Sequence, residues 1–476
     1  MTLKEIVTNL NCSISGNTEI DIKGIAYDSR KVKEGYLFIA IKGFETDGHK
    51  YIDSAIKNGA GAILGEEDIE CDCTYVKTED SRKALAICAA EFFGHPEKKL
   101  KIIALTGTNG KTTTTYLIRQ ILMLKGLRCD LIGTNQTIIG DEIIESSRTT
   151  PESLDLFEIF YKMSESGGEY VVMEVSSHSL ELDRVFGITF ETAVLTNITQ
   201  DHLDFHKTME NYANAKAKLF AMSKSAAINT DSDYADVCIN NTKGKLLTYS
   251  VDNDSIIHAE NIKMSERGVI FDISFQGAAH EMRLGIPGMF SVYNALAAIC
   301  ACINIGVDIT DIEKGLVLAK SVKGRIEVVH TNTPYTIIID YAHTPDGLEN
   351  IISAVRAFAK ARVITVFGCG GNRDATKRPK MGRIAEELSD IAIVTSDNPR
   401  CEEPDSIIKD ILDGMKKDNH ITVTNRKEAI RRAMEIAQEN DIIILAGKGH
   451  ETYQEIDHVK HDFDERVVVK EILAEM

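Results

Sequence analysis

The stretch Lys101-Ile-Ile-Ala-Leu-Thr-Gly-Thr-Asn-Gly-Lys-Thr112 decides the fold class. An apolar run, a glycine turn and a segment that reads as helical from Thr113 give strand, loop and helix N-terminus in succession. Gly107, Thr108, Asn109, Gly110, Lys111, Thr112 and Thr113 then form a phosphate cradle. Its glycines let backbone N–H groups approach an anion, and the helix start adds partial positive charge. Lys111 can neutralise a terminal phosphate, and the Thr112 hydroxyl can ligate Mg²⁺. The loop is shorter than the common G-x-x-x-x-G-K-[ST] form, because Leu105 stands where its first glycine would be. An ordinary glycine turn after a buried strand is the plain alternative; the coincidence of strand, Lys and Thr weighs against it.

Outward from this loop the chain alternates strands and helices, the pattern of an α/β protein. Tyr170-Val-Val-Met-Glu-Val175 and Thr192-Ala-Val-Leu-Thr196 are continuous apolar runs, as expected of parallel strands covered on both faces. Residues 209–221 fit a helix, and 246–285 read as antiparallel strands. From about 326 the alternation is strict, with strands predicted at Thr336–Asp340, Val363–Phe367, Ile391–Thr395 and Asp441–Ala446. Such sheets bind ligands beyond their strands' carboxyl ends, where the polar clusters 368–378, 396–404 and 447–454 lie. Upstream, short runs such as Tyr36-Leu-Phe-Ile-Ala-Ile41 precede a linker-like Phe93-Gly-His-Pro-Glu-Lys-Lys99. A chain of 476 residues exceeds one core. Three domains are predicted, at 1–99, 100–325 and 326–476.

A net charge of −18 argues against a nucleic-acid partner and an anionic membrane surface. The ten cysteines are scattered; Cys71-x-Cys73 and Cys300-x-Cys302 lack zinc or redox spacing, so reduced thiols and a cytoplasmic location are expected. The N-terminal residues lack a signal-peptide core, and no apolar run reaches membrane-spanning length. No membrane insertion is expected, and a monomer is.

Glu174 ends one predicted strand and Asn197-Ile-Thr-Gln-Asp-His-Leu-Asp-Phe-His206 follows another, so carboxylate and imidazole groups face the same region as the loop. A carboxylate with a neutral imidazole can hold Mg²⁺. Taken singly, His202 and His206 read as solvated loop histidines.

Several segments together resemble the Mur ligases, which build the peptide stem of bacterial cell-wall precursors. They are Gly107–Thr113, Met173-Glu-Val-Ser-Ser-His-Ser-Leu180, Thr196–Asp204, Tyr212-Ala-Asn-Ala-Lys-Ala-Lys-Leu-Phe220, Pro287–Leu296, Lys323-Gly-Arg-Ile-Glu327 and Asp340-Tyr-Ala-His-Thr-Pro-Asp346. They run in family order over nearly the whole chain. Asp397-Asn-Pro-Arg400 and Ala446-Gly-Lys-Gly-His-Glu451 resemble the members that add meso-diaminopimelate as the third residue. The resemblance implies a UDP-binding N-terminal domain, a central ATPase domain and a C-terminal Rossmann-like domain. It also implies the reaction: Mg-ATP converts the side-chain carboxylate of D-glutamate in UDP-N-acetylmuramoyl-L-Ala-D-Glu to an acyl phosphate, which the acceptor's amine attacks.

The resemblance also implies residue roles. Lys111 and Thr112 serve phosphates and magnesium, and Glu174 and His202 serve the metal sites. Lys216 matches a carbamylated lysine, an anionic ligand for a second Mg²⁺; without the motif it reads as a helix-surface lysine. Asn294, Arg325 and Asp340 match contacts to base, phosphates and ribose. Ser29 matches a UDP contact, and Thr149, Thr150, Ser176 and Arg184 match contacts to the muramoyl-dipeptide. For the acceptor, diaminopimelate differs from lysine by a distal carboxylate, which a guanidinium can grip with two bonds. Arg373 and Arg400 are placed for this, with Asp397 beginning the loop and Pro399 restraining it. Asn398 and Glu451 would hold the distal ammonium, and Gly447 would let backbone approach. An arginine repels lysine's lone distal ammonium, so the motif selects by both signs. The plain alternative is Arg400 pairing with Glu402 or Glu403.

Three departures touch loop stiffness and closure rather than the reaction: Lys323 replaces a usual proline, Gln200 a common arginine, and Phe463-Asp-Glu-Arg466 a more common Phe-Asp-Asp-Arg-Glu. A lysine-adding or relaxed-specificity ligase, a folylpolyglutamate-synthase-like ligase and a non-catalytic nucleotide binder are the alternatives.

Overall fold

The structure is a computed structural model that describes residues 1–43, 46–69, 71, 73–146, 148–265, 268–319 and 322–476. Among the described residues three large sheets follow one another along the chain, with a two-stranded hairpin after them. The first has five strands in the order Cys12–Ser15, Thr74–Thr78, Ala60–Gly65, Tyr36–Ile39, Gly24–Ala26; all pair in parallel except Cys12–Ser15. The second has eleven strands, with Lys101–Thr106 central between Thr192–Leu195 and Tyr170–Glu174, both parallel to it. The third has six, in the order Glu327–Val329, Thr336–Asp340, Ile442–Ala446, Val363–Phe367, Ile391–Val394, His420–Thr422.

Period-two burial explains the central strand. Ile103 and Leu105 face an apolar cluster with Leu117, Ile118 and Ile121 of the helix Lys111–Leu124, while Ile102 and Ala104 face Phe157, Phe160 and Phe220 on the opposite side. Both faces are covered, so the strand carries apolar residues at four successive positions, Ile102 to Leu105. The helix Met289–Asn304 packs on the first face with Ala295, Ala297, Ala298 and Ala301 buried. Small residues there let the helix lie close to the sheet. The same cluster continues into the third sheet through Leu348, Ile351 and Val363.

Two predicted details differ. The helix after the glycine loop begins at Lys111, not Thr113. Lys245–Ser250 pairs in parallel with both neighbours, so antiparallel pairing starts only with Ile257–Ser265, Gly268–Phe275 and Ala278–Leu284. The alternating burial of Gly268–Phe275 fits a sheet with one face toward solvent, which antiparallel pairing allows. Residues 93–99 include a 3₁₀ turn at Pro96–Lys98. All ten cysteines are free thiols, and among the described residues no helix is long and apolar enough to cross a membrane.

Candidate active site

The glycine loop is fastened from below by the segment after Thr192–Leu195. Thr108 N donates to Asn197 O (2.8 Å), Asn109 N to Asn197 Oδ1 (2.9 Å) and Thr196 Oγ1 to Asn109 O (2.6 Å). Gly110 has φ 85° at the helix N-cap and no side-chain cap, and a Cβ there would run into Asn294 Oδ1. Glycine is therefore required twice over, by backbone and by space. The first-turn amides of the helix stay open for an anion. Lys111 Nζ donates to Gly107 O (2.8 Å) and Thr108 O (2.9 Å). Its pKa is lowered by burial, partly opposed by Glu174.

Glu174, at the end of its strand and fully buried, accepts from Thr112 Oγ1 (3.0 Å), Thr134 N (2.9 Å) and Thr134 Oγ1 (2.9 Å). Beside it Lys216 projects from the helix Met209–Ala221, with Nζ 2.9 Å from Gly107 O and 4.4 Å above the Tyr212 ring. Burial, reinforced by Lys111, drives its pKa well below the ordinary lysine value. His202, with φ 55°, has its imidazole pKa pushed down to about 3 by burial, against the pull of Asp201. Its ring is thus neutral, with a lone pair to give. A hydroxyl, a carboxylate and a neutral imidazole at one cavity fit a hard divalent cation, and an uncharged buried amine fits carbamylation.

One cavity joins Thr112, Glu174, His202 and Lys216 with Thr149, Ser176 and Arg325. A neighbouring cavity of about 280 Å³ is lined by Gly110, Thr113, Asn294, Arg325 and Asp340. Arg325 lines both, donates to Thr112 Oγ1 (3.3 Å) and stacks 4.7 Å from the Tyr341 ring. Asp340 accepts from Ile326 N (2.8 Å), and burial raises its pKa against the pull of Arg325. Thr150 Oγ1 donates to Glu174 O (3.0 Å), and Arg184 ion-pairs with Glu152 (2.8 Å). Ser176 caps the helix Ser177–Glu181 by accepting from Ser179 N (3.1 Å) while still facing the cavity. Ser29 lies apart, buried in the first module and held through its carbonyl by Asn58 Nδ2 (2.8 Å).

The acceptor-loop residues gather at the strand ends of the third sheet. Asn398 Nδ2 donates to Glu451 Oε2 (2.9 Å), and a Cβ at Gly447 would press on Asp397. A Cβ at Gly370 would meet Arg400 Nη1 and Arg373 Cγ, so the two arginines flank one glycine. Arg373 is exposed, and Pro399 is buried. Arg400 pairs with neither Glu402 nor Glu403: Glu455 takes its Nε (3.0 Å), and Glu402 pairs instead with Arg378 (2.9 Å).

Sequence reasoning missed three groups. Asp201 lies 3.7 Å from Lys377 and 3.9 Å from His343; burial works against its charge, but His202, Lys377 and His343 hold it well below the carboxylate range. Lys448 is completely buried and reaches Asn398 Oδ1 and Glu451 Oε2, each at 3.0 Å. Thr134 supports Glu174. His343 and Lys448 lay inside quoted motifs, the signal that could have found them.

A glycine phosphate loop beside a cavity lined by a hydroxyl, a carboxylate and an imidazole, with a polar cluster at the strand ends of the third sheet, defines a nucleotide-using α/β enzyme of three modules. The Mur ligase catalytic-domain pattern matches residues 21–93, the Mur ligase middle-domain pattern 105–302 and the Mur ligase glutamate ligase domain pattern 324–449. The chain is 50% identical to the UDP-N-acetylmuramoyl-L-alanyl-D-glutamate–2,6-diaminopimelate ligase of Clostridium botulinum and 49% identical to that of Clostridium tetani, covering 100% of each and of itself. A solved structure of a ligase with that name matches at 31% identity and a TM-score of 0.70, over 100% of this chain and 99% of the other. The chain belongs to the Mur ligase family.

Proposed function

We propose that the chain is an ATP-dependent ligase that joins meso-2,6-diaminopimelate to UDP-N-acetylmuramoyl-L-Ala-D-Glu. One observation carries the choice of acceptor: Arg400 sits at the same strand ends as the Asn398–Glu451 pair. A guanidinium beside a carboxylate suits a distal head bearing both carboxylate and ammonium. The whole-length relatives support the diaminopimelate-adding reading over the lysine-adding and folate-type alternatives.

In this reading Gly107–Thr113 cradle the triphosphate, Asn294 faces the base, Asp340 the ribose and Arg325 the phosphates. Thr112, Glu174, His202 and carbamylated Lys216 would hold Mg²⁺, which draws charge from the phosphate oxygens when bound. Ser29 contacts the UDP end, and Thr149, Thr150, Ser176 and Arg184 the muramoyl-dipeptide. The D-glutamate side-chain carboxylate attacks the terminal phosphorus of ATP in line, the bond to the β-phosphate oxygen breaks with ADP leaving, and Lys111 stabilises the charge that develops. A carboxylate resists amines; the acyl phosphate does not, because phosphate leaves readily. The acceptor amine adds to the carbonyl, and the tetrahedral adduct expels phosphate. The protein works as a monomer in the cytoplasm, with domain boundaries and hinges near residues 99 and 325 bringing the three substrates together.

Phosphate release from ATP with the UDP-linked dipeptide, measured with meso-diaminopimelate, with L-lysine and with no acceptor, tests this. Release with diaminopimelate only is expected. Equal release with lysine would overturn the acceptor assignment, and none with either would overturn the ligase.

A further inference from the structure

The loop Asp397–Cys401 is braced on one side by Gly371 and Asn372, through Gly371 N to Asn398 O (2.9 Å) and Cys401 N to Asn372 Oδ1 (3.0 Å), and on the other by the hairpin of Tyr453–Ile456 and Val459–Asp462. Gln454 Nε2 donates to Asp397 O (2.6 Å), and Glu455 N donates to Asn398 Oδ1 (2.9 Å). Arg400 N donates to Glu455 O (3.0 Å), and Asp457 N donates to Arg400 O (2.9 Å). Cys401 Sγ and His458 Nε2 lie 3.0 Å apart. Arg400 itself has φ 52°, a left-handed backbone that a non-glycine residue keeps only where its surroundings impose it. The hairpin imposes it.

The side chain is held as firmly as the backbone. Glu455 Oε2 takes the Nε edge of Arg400 at 3.0 Å, and Gly371 O accepts from Nη1 at 2.9 Å. Both ion-pair partners are largely buried, with side-chain exposures of 19% for Arg400 and 23% for Glu455. Nε shares its side edge of the fork with Nη2, and Glu455 sits on that edge; Gly371 O takes one proton of Nη1, so the Nη1/Nη2 end of the fork is the edge left to grip an incoming carboxylate.

We propose that Glu455 is the positioning residue for the acceptor's distal carboxylate, acting by fixing the direction of the Arg400 guanidinium. The inference rests on the reading that Arg400 receives that carboxylate. A free arginine would have to order its side chain on each binding event, whereas a clamped one has already done so. Glu455 also balances the arginine's charge while the pocket awaits its acceptor, without occupying the gripping edge.

The test is steady-state kinetics of Glu455→Ala, Glu455→Gln, Arg400→Ala and the double variant, varying each substrate in turn, with melting midpoints alongside. Glu455→Ala should raise the KM for diaminopimelate about ten-fold, leaving kcat and the KM for ATP within about two-fold. Glu455→Gln keeps an oxygen for Nε and should recover most of the loss. On the Arg400→Ala background, Glu455→Ala should add nothing further. An unchanged KM in Glu455→Ala beside a raised one in Arg400→Ala would overturn the role of Glu455 alone. An unchanged KM in both would overturn the Arg400 reading and this inference with it. A uniform rise for all substrates with a lowered melting midpoint, not rescued by Gln, would make Glu455 a hairpin stabiliser and overturn the proposal.

Discussion

Lys216 is a buried amine whose hydrogen bond goes to one carbonyl, Gly107 O at 2.9 Å, with Lys111 close enough to depress its pKa. An ammonium carries three protons that each need an acceptor; burial here favours the neutral amine, the form that can add to carbon dioxide. Lys216→Ala is expected to lower turnover by at least about 100-fold, as loss of a metal-site group does, with the melting midpoint moved by no more than about 4 °C. Near-normal turnover of that variant would remove Lys216 from the metal site. The position is legible through the motif alone: read by itself it passes for a helix-surface lysine, although Tyr212 and Phe220, four residues to either side on the same helical face, are both buried.

At the scale of elements, the segment from Thr196 to His206 does more than follow a strand. It braces the glycine loop through Thr196 and Asn197, then crosses to the third module through Gln200 and Asp201. Gln200 Nε2 donates to Asp374 Oδ2 (3.1 Å) and Thr376 Oγ1 (2.7 Å), so the residue that replaces a common arginine keeps the crossing by hydrogen bonds from its side-chain amide. Asp201→Asn removes the charge facing buried Lys377 and should cost about 3 kcal/mol. Because the folded pKa of Asp201 lies below the ordinary value of 3.8, its contribution is complete above that value and is lost as pH falls through the folded one. Denaturant unfolding of wild type and variant at pH 7 and pH 3 should therefore show a smaller difference at pH 3. An equal difference at both would place the effect outside this charge cluster. Sequence reasoning named His202 but passed over Asp201, since its partners His343 and Lys377 come from another module and no periodicity links them.

For the whole molecule, strands buried on both faces were the most legible feature. Lys101–Thr106, Thr336–Asp340 and Val363–Phe367 fall where their apolar runs predict, because burial of both faces writes itself into successive positions, with only the first residues Lys101 and Thr336 exposed. The Lys245–Ser250 strand was misjudged, since parallel or antiparallel pairing depends on which neighbour arrives and not on the strand's own residues. The seams between modules were illegible for the same reason: Tyr27 OH reaches Asp155 (2.6 Å) and Asn109 Nδ2 reaches Asp346 (2.6 Å), contacts that only the folded chain creates. The second seam joins the phosphate loop to the third module, and a carboxylate brought to that loop is phosphorylated before the amine attacks. The direct measurement uses UDP-N-acetylmuramoyl-L-Ala-D-Glu with oxygen-18 in the D-glutamate side-chain carboxylate, and follows the label into the phosphate released during ligation. The released phosphate is expected to carry one oxygen from that carboxylate. Unlabelled phosphate released alongside the ligated product would contradict it.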